Sequence, residues 1–99
     1  MGRPAARYLD PTAHGGQLMP GPGSPDVFIG GRPAWRAKGD VHLCPLATPN
    51  PHLTGVIDRG SNSVFINGYP AARLGDIVNE ANGGPVPVVL GEPTVLIGD

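Results

Sequence analysis

Short runs of β-branched and aromatic residues recur along the chain and are separated by turn-forming residues. Val-Phe-Ile occupies residues 27–29 and 64–66, and Val-Leu-Ile occupies residues 95–97. Each run is bounded by Gly, Pro, Asn or Ser and is too short for a stable helix, so each predicts a β-strand. Gly-Gly at 30–31 and Asn-Gly at 67–68 supply the positive φ that two-residue hairpin loops need. The pattern therefore predicts strand, tight turn and strand in succession.

A tetrapeptide accompanies these predicted hairpins and divides the chain into three units. Pro-Ala-x-Arg occupies residues 4–7, 33–36 and 70–73. Self-similarity of this kind indicates a repeat architecture. The proline has no amide donor and is expected at a sheet edge or a strand start, and the small Ala after it lets neighbouring units approach closely.

Each repeat arginine is followed by an aspartate three or four residues later. The pairs are Arg7 with Asp10, Arg36 with Asp40 and Arg73 with Asp76. We interpret them as ion pairs that brace loops rather than as catalytic groups, because exposed Arg–Asp pairs are common and individually weak.

Composition agrees with a small, turn-rich β domain. The 99 residues include 16 Gly and 13 Pro, which excludes a helical bundle or a Rossmann-type sheet. A hydrophobic content of 39% and a net charge of −1 favour a folded chain over a disordered one. A domain of this size buries a limited apolar area, so a metal or a partner is expected to add stability. One cysteine cannot form an internal disulfide and is typical of a reducing compartment.

Charge patterning gives no indication of a nucleic-acid or anionic-membrane surface. Lys and Arg total 7 against 8 Asp and Glu, and no basic run is present. No segment has the pattern of a Sec signal or a transmembrane helix, since Pro87 interrupts the longest aliphatic stretch, residues 86–90. We expect no nucleic-acid partner, and we expect any export to depend on another component.

The three histidines and the single cysteine are candidates for one metal site. They all lie between residues 14 and 52, as His14, His42, Cys44 and His52. Zinc accepts imidazole and thiolate ligands in tetrahedral sites, and four protein ligands leave no open position for a reacting water. The set therefore predicts one structural zinc ion, with the alternative that the histidines lie on the surface and the cysteine is buried.

Cys44 is also a candidate nucleophile. It would need an adjacent base, for which His42 is near in sequence, and an orienting acid. A chain of this size lacks the usual scaffold of an enzyme pocket, so we assign no catalytic residue and expect no enzymatic activity.

Together these motifs resemble the PAAR-repeat family. The resemblance rests on the three tetrapeptides, the Asp-Pro-Thr-Ala-His-Gly-Gly turn at 10–16, Leu-Gly-Asp at 74–76, and Ser-x-x-Val-Phe-Ile-x-Gly at 24–31 and 61–68. It implies an all-β fold, a small cone of short β-hairpins with pseudo-three-fold symmetry and a metal near its apex. The family's three His and one Cys ligands match His14, His42, Cys44 and His52.

The resemblance also implies a function. Such proteins are expected to cap and sharpen the trimeric VgrG-type spike of a type VI secretion system, one monomer per trimer. They help to pierce membranes and can adapt effector proteins. The protein would be made in the bacterial cytoplasm and exported on the spike into the extracellular space or a target cell. Alternatives are the tip of a phage tail spike, another contractile injection device, or a zinc-stabilised β domain on another partner such as a phage baseplate.

Some positions depart from the repeat pattern. Trp35 replaces the second Ala of the tetrapeptide, and we favour local packing over a partner contact for it. Asn79 and Glu80 stand where the earlier turns have His14 and His42, and no metal role is assigned to Glu80 because four better ligands exist.

Two further expectations concern the extent of the domain and the surface that contacts the spike. We expect one PAAR-repeat domain over residues 1–99, with no toxin or transmembrane extension. Candidates for the surface that contacts the spike include Phe28, Phe65 and Tyr69, and the sequence does not separate a partner contact from a core position for any of them.

Overall fold

The computed structural model describes residues 2–13, 16–43, 54–80 and 84–98, and this part of the chain is all-β and without helices, as predicted. No helix in those ranges has the length and apolarity to cross a membrane. The strands are β1 (Arg3–Ala5), β2 (Pro20–Gly21), β3 (Phe28–Ile29), β4 (Arg32–Pro33), β5 (Val41–Leu43), β6 (Thr54–Ile57), β7 (Phe65–Ile66), β8 (Tyr69–Pro70), β9 (Ile77–Glu80), β10 (Gly84–Pro87) and β11 (Glu92–Ile97).

The largest sheet has five antiparallel strands in the order β10-β9-β6-β5-β2. Its two edge strands contain proline, at Pro20 in β2 and at Pro85 and Pro87 in β10. Proline has no amide to offer to an added strand, so both edges resist pairing with another chain.

Both predicted hairpins are present. β3 pairs with β4 through Phe28–Pro33 and Ile29–Arg32, and β7 pairs with β8 in the same way. All four turn residues have positive φ, at 58° and 82° for 30–31 and at 54° and 83° for 67–68. These angles are those of the two-residue turn that suits the twist of paired strands.

A third pair of strands has the same pairing without a connecting turn. β1 and β11 are antiparallel, with Pro4 opposite Leu96 and Arg3 opposite Ile97. These pairs correspond to Phe–Pro and Ile–Arg in the β3–β4 hairpin. Gly2 and Gly98 flank the pair at the position that Gly-Gly occupies in the continuous hairpin.

The three tetrapeptides meet in a closed ring of backbone hydrogen bonds. The amide of Ala6 donates to the carbonyl of Ala72, that of Ala72 to Trp35, and that of Trp35 to Ala6, each at 3.0 Å. A second set of bonds, at 2.8–2.9 Å, runs the opposite way round, from the amides of Tyr8, Ala37 and Leu74 to the carbonyls of Pro33, Pro70 and Pro4. Each repeat therefore donates to both of its neighbours and accepts from both.

Two apolar clusters lie on opposite sides of this ring, because successive side chains of an extended segment alternate. One contains the third residue of each tetrapeptide together with five other apolar residues: Ala6, Trp35, Ala72, Leu18, Ala37, Ile57, Val78 and Val88. The other contains Ala5, Ala34 and Ala71 with Ile29, Ile66 and Ile97. We call these two sides the sheet end, which carries the five-stranded sheet, and the hairpin end, which carries β3–β4, β7–β8 and β1–β11.

Trp35 is 1% exposed and belongs to the sheet-end cluster. The prediction of local packing is confirmed. The ring places it beside Ala6 and Ala72, so two small side chains leave space for one large one. Gly21 lies against the indole, where an added Cβ would approach Trp35 to 2.8 Å.

The three Arg–Asp pairs brace the chain after each tetrapeptide, as predicted, but they are buried rather than exposed. In every pair one carboxylate oxygen accepts from the arginine's own amide and Nε, and the other accepts from Nη2. The aspartates are 0–4% exposed: Asp10, Asp40 and Asp76. The expectation of weak, exposed pairs is therefore wrong, because the packed repeats cover the aspartates, and Asp40 and Asp76 also accept from the Gly23 amide and from Arg3 Nη2.

Replacing one member of a buried pair should destabilise the domain strongly. We expect Asp40→Ala to cost about 3 kcal/mol, because the Arg36 guanidinium then stays buried without its carboxylate. Thermal unfolding should show a midpoint at least about 10 °C lower. Asp58→Ala, at an exposed aspartate, is the control, and an equal loss for both variants would contradict the bracing role.

The β1–β11 pairing predicts a circular permutant that folds. Joining Gly98 directly to Gly2 creates a Gly-Gly turn between Ile97 and Arg3, and the new ends are placed between Gly30 and Gly31. We expect circular dichroism and a thermal midpoint close to those of the natural chain order. The same junction with the break placed between Ala34 and Trp35 cuts the ring and should not fold, and equal behaviour of both permutants would show that the ring is not required.

Candidate functional site

The hairpin end presents one large apolar side chain at the same position of each strand pair. The exposed fractions are 58% for Phe28, 58% for Phe65 and 60% for Leu96. The next residue of each run is an isoleucine that is only 7% exposed. Alternation along each strand produces this contrast, with isoleucine inward and its neighbour outward. We call Phe28, Phe65 and Leu96 the apolar triad.

A polar side chain fixes the turn at the beginning of each of these runs, and we call these three side chains, Ser24, Ser61 and Glu92, the polar corners. Ser24 and Ser61 accept through Oγ from the amides two and three residues later, at 2.9–3.3 Å. Glu92 occupies the third corner and accepts from the amide of Thr94 at 3.2 Å. The hydroxyl and amide of Thr94 hold the pKa of Glu92 below its ordinary value. Each apolar run therefore begins from a fixed turn.

The corners also connect neighbouring repeats. Ser24 donates to Asn67 Oδ1 at 2.7 Å, Ser61 donates to the carbonyl of Gly98 at 2.6 Å, and Glu92 accepts from Arg7 Nη1 at 3.0 Å. These contacts fix the spacing of the three strand pairs, and so of the apolar triad.

Charge at the hairpin end is held in place by the same contacts. Asn67 donates its side-chain amide to Asp26 at 2.9 Å and lowers the pKa of that carboxyl, with a smaller contribution from Ser24. Hydrogen bonds to Asp10 and Asp40 raise the pKa of Arg7 and Arg36. Both guanidinium groups are therefore charged at any working pH.

Tyr69, the third sequence candidate for a partner contact, is 41% exposed. Its ring lies under the guanidinium of Arg36, 5.3 Å from the ring centroid. It pairs with Ile66 across the hairpin, at the position that Arg3 and Arg32 occupy in the other strand pairs. Leu96 was not among the candidates, since the β1–β11 pairing that makes it equivalent to the phenylalanines joins the two ends of the chain.

Of the four predicted metal ligands, His42 lies within the described residues. His42 lies in β5, is 0% exposed, and is directed into the sheet end. His14, Cys44 and His52 lie outside the described residues. Within the described ranges no group of three or more His, Cys, Asp and Glu side chains is placed to hold a metal ion. A buried imidazole beside a carboxylate is an arrangement that suits a zinc ligand.

That carboxylate belongs to Glu80, a residue to which the sequence pattern gives no metal role. His42, Gly55 and Glu80 face one another directly across β5, β6 and β9. Gly55 has no side chain between the other two, so His42 Nε2 and Glu80 Oε2 come within 3.5 Å. A glycine inside a short strand was the sequence signal for such a close approach.

The chain matches the model of the PAAR motif family over residues 9–86. It belongs to the PAAR-motif family. The match includes the second and third tetrapeptides and all four predicted metal ligands. No curated protein matches the chain.

Family membership fixes the general role. PAAR-motif proteins are structural rather than enzymatic, and they are spike-tip-type proteins of VgrG-associated secretion systems. They sit on a spike-type partner. The functional features to look for in such a protein are therefore binding surfaces rather than a pocket with reacting groups.

The close approach at Gly55 gives a prediction. A Cβ there would lie 2.6 Å from the carbonyl oxygen of Asn79 and 3.0 Å from Cα of Glu80. We expect Gly55→Ala to separate β6 from β9 and to cost about 1–3 kcal/mol in the free energy of unfolding. Gly98→Ala is the control, because its Cβ would meet only Ser63 Oγ at 3.7 Å. Denaturant titration measures both variants, and equal stabilities would contradict the tight packing at Gly55.

Proposed function

We propose that this protein is the conical tip that caps the trimeric VgrG-type spike of a type VI secretion system, with the hairpin end as its base. The observation that carries the proposal is the repetition of one exposed apolar position on three strand pairs fixed around a closed ring. The ring supports pseudo-three-fold symmetry, and a trimer offers three equivalent sites to such a base. One chain can thus close the end of three.

The apolar triad supplies the chemistry of that contact. Large apolar side chains at the centre of an interface release water and pack into pockets on the partner. Full burial of each stabilises a complex by about 1.5–3 kcal/mol before the costs of association. Because three equivalent side chains engage three equivalent subunits, a modest contact on each subunit sums to a stable cap.

The opposite end then leads the spike. Proline in both edge strands of the five-stranded sheet keeps that end from pairing with other chains. We assign to this end one structural zinc ion, held by His14, His42, Cys44 and His52. The ion would supply a rigid tetrahedral cross-link among loops, and the buried position of His42 supports its part in it. On this account the tip helps to puncture a target membrane.

The role of a spike tip also determines where the protein is made and where it goes. The protein is made in the bacterial cytoplasm and leaves on the spike for the extracellular space or a target cell. Effector proteins, where they are carried, attach to surfaces other than the base. Neither step uses a catalytic group of this chain.

Binding to the spike should depend on the apolar triad. We expect the triple variant Phe28→Ser/Phe65→Ser/Leu96→Ser to bind the VgrG trimer encoded in the same genome about 100-fold more weakly or worse, since each truncation removes about 1 kcal/mol or more. Biolayer interferometry with the immobilised trimer measures the dissociation constant.

A matched control replaces three exposed apolar residues of the five-stranded sheet, in Val41→Ser/Leu43→Ser/Ile77→Ser. We expect this variant to bind as the parent does. Equal weakening of both variants would contradict the assignment of the base to the hairpin end. Failure of the parent chain to bind any spike trimer encoded in its genome would contradict the proposed function.

The zinc proposal predicts metal content and metal-dependent stability. Protein purified without chelators or a histidine tag should contain about one zinc per chain by plasma mass spectrometry. Chelation should lower the thermal midpoint markedly, because metal-binding energy in small domains is also folding energy. His42→Ala should lose the metal, whereas the triad variant should retain it. Metal-free protein, or a midpoint unchanged by chelation, would contradict the zinc site.

A further inference from the structure

We propose that Glu80 is a positioning residue for the metal centre, holding the imidazole of His42 in the orientation and tautomer that metal binding requires. The inference rests on the zinc proposed above and extends it to a residue outside the four ligands. Glu80 would act through His42, with its carboxylate on the ring nitrogen Nε2, and would leave the other nitrogen, Nδ1, for the metal.

The sheet itself brings the two side chains together. His42 in β5 and Glu80 in β9 are two strands apart, and Gly55 in the intervening β6 pairs with both. Side chains that face one another across adjacent strands project on the same side of a sheet. Because the middle position is glycine, the outer two meet over it, with Nε2 and Oε2 3.5 Å apart. A Cβ at residue 55 would meet the β9 backbone, 2.6 Å from the carbonyl oxygen of Asn79 and 3.0 Å from Cα of Glu80.

Burial makes this contact unusual for a small domain. His42 is 0% exposed and Glu80 is 5% exposed. A carboxylate rarely leaves water in a folded protein unless a polar or charged partner compensates it. The other buried acids of the described chain, Asp10, Asp40 and Asp76, each accept from a repeat arginine. Glu80 is buried beside an imidazole, which points to a role for the carboxylate toward that ring.

The chemistry of metal-bound histidine supplies the role. An imidazole that binds a metal through one nitrogen carries a proton on the other, and it almost always donates that proton to a carboxylate, a carbonyl or water. This hydrogen bond selects the tautomer, fixes the ring plane and raises the basicity of the ligand nitrogen. Glu80 is the carboxylate that the described structure places beside His42.

The repeat register agrees with this assignment. Counted from the aspartate of each repeat, the fourth residue is His14 in the first unit, Cys44 in the second and Glu80 in the third, so by this count Glu80 is equivalent to His14 and Cys44 rather than to His42. The first two are proposed zinc ligands. The third repeat therefore has an acid at the position where the other two carry a ligand, and the sheet turns that acid toward His42.

The first test compares Glu80→Gln with Glu92→Gln, the same chemical change at the hairpin end. Zinc affinity is measured by competition with a chromophoric chelator. We expect Glu80→Gln to bind zinc about 10- to 100-fold more weakly, as is usual when the partner of a ligating histidine is lost. Glu92→Gln should match the parent. Equal zinc affinity in the parent and in Glu80→Gln would overturn the proposal and leave the zinc site standing.

The second test separates a positioning role from direct ligation. In the Co(II)-substituted protein, the visible ligand-field bands of Glu80→Gln should keep the number and intensity of the parent's bands, with only a small shift, since the ligand set is unchanged. A change in coordination number or in the band pattern would show that Glu80 is itself a ligand and overturn the positioning role. Long-range ¹H–¹⁵N spectra of the zinc-loaded parent should show a proton on His42 Nε2, and a metal-bound Nε2 would also overturn it.

The two proposals fail in different ways. A parent chain that binds no zinc overturns both the zinc site and the role of Glu80. A parent that binds zinc, with Glu80→Gln unchanged, overturns only the latter. Spike binding by Glu80→Gln should equal that of the parent, because Glu80 lies at the sheet end, so loss of spike binding in this variant would contradict the separation of the two ends.

Discussion

The closed ring of backbone hydrogen bonds among Ala6, Trp35 and Ala72 is the constraint on which the rest of the molecule depends. Three extended segments can each donate to one neighbour and accept from the other only if all three are present and in register. The tetrapeptide meets this requirement because the alanine after each proline is small and the arginine after the ring residue is fixed by its own aspartate. A domain with 16 Gly and 13 Pro forms only short strands, and the ring holds the three repeats in a fixed arrangement that longer strands or helices would otherwise provide.

Because side chains alternate along the ring segments, the ring also divides the molecule into two ends. The alanines of one side pack with Ile29, Ile66 and Ile97 under the three strand pairs, and the residues of the other side pack beneath the five-stranded sheet. Each end is then free to serve a separate purpose. Phe28, Phe65 and Leu96 are exposed at equivalent positions on the hairpin end, while the buried His42–Glu80 contact lies at the sheet end. A cap needs this division, with one end adapted to a partner and the other to rigidity.

Features coded by neighbouring residues could be predicted from the sequence. The Gly-Gly and Asn-Gly turns, the strands beside them and the arginine–aspartate braces all depend on contacts within a few residues. Long-range features could not be predicted. The β1–β11 pairing joins the ends of the chain and makes Leu96 equivalent to Phe28, and the burial of the braces depends on how the repeats pack around the ring. The approach of Glu80 to His42 could not be predicted for the same reason, since it depends on Gly55 lying between them in a sheet whose strand order the local pattern does not encode.

The central claim is that one chain with three repeated faces closes the end of a three-chain spike. Native mass spectrometry of the complex with the VgrG trimer tests it most directly, because it counts chains without reference to any single residue. The account predicts a complex of one tip chain and three spike chains, with no higher tip occupancy at excess tip protein. Two or three tip chains per trimer would contradict it, because each spike subunit would then bind its own copy and the three repeated faces would have no common partner.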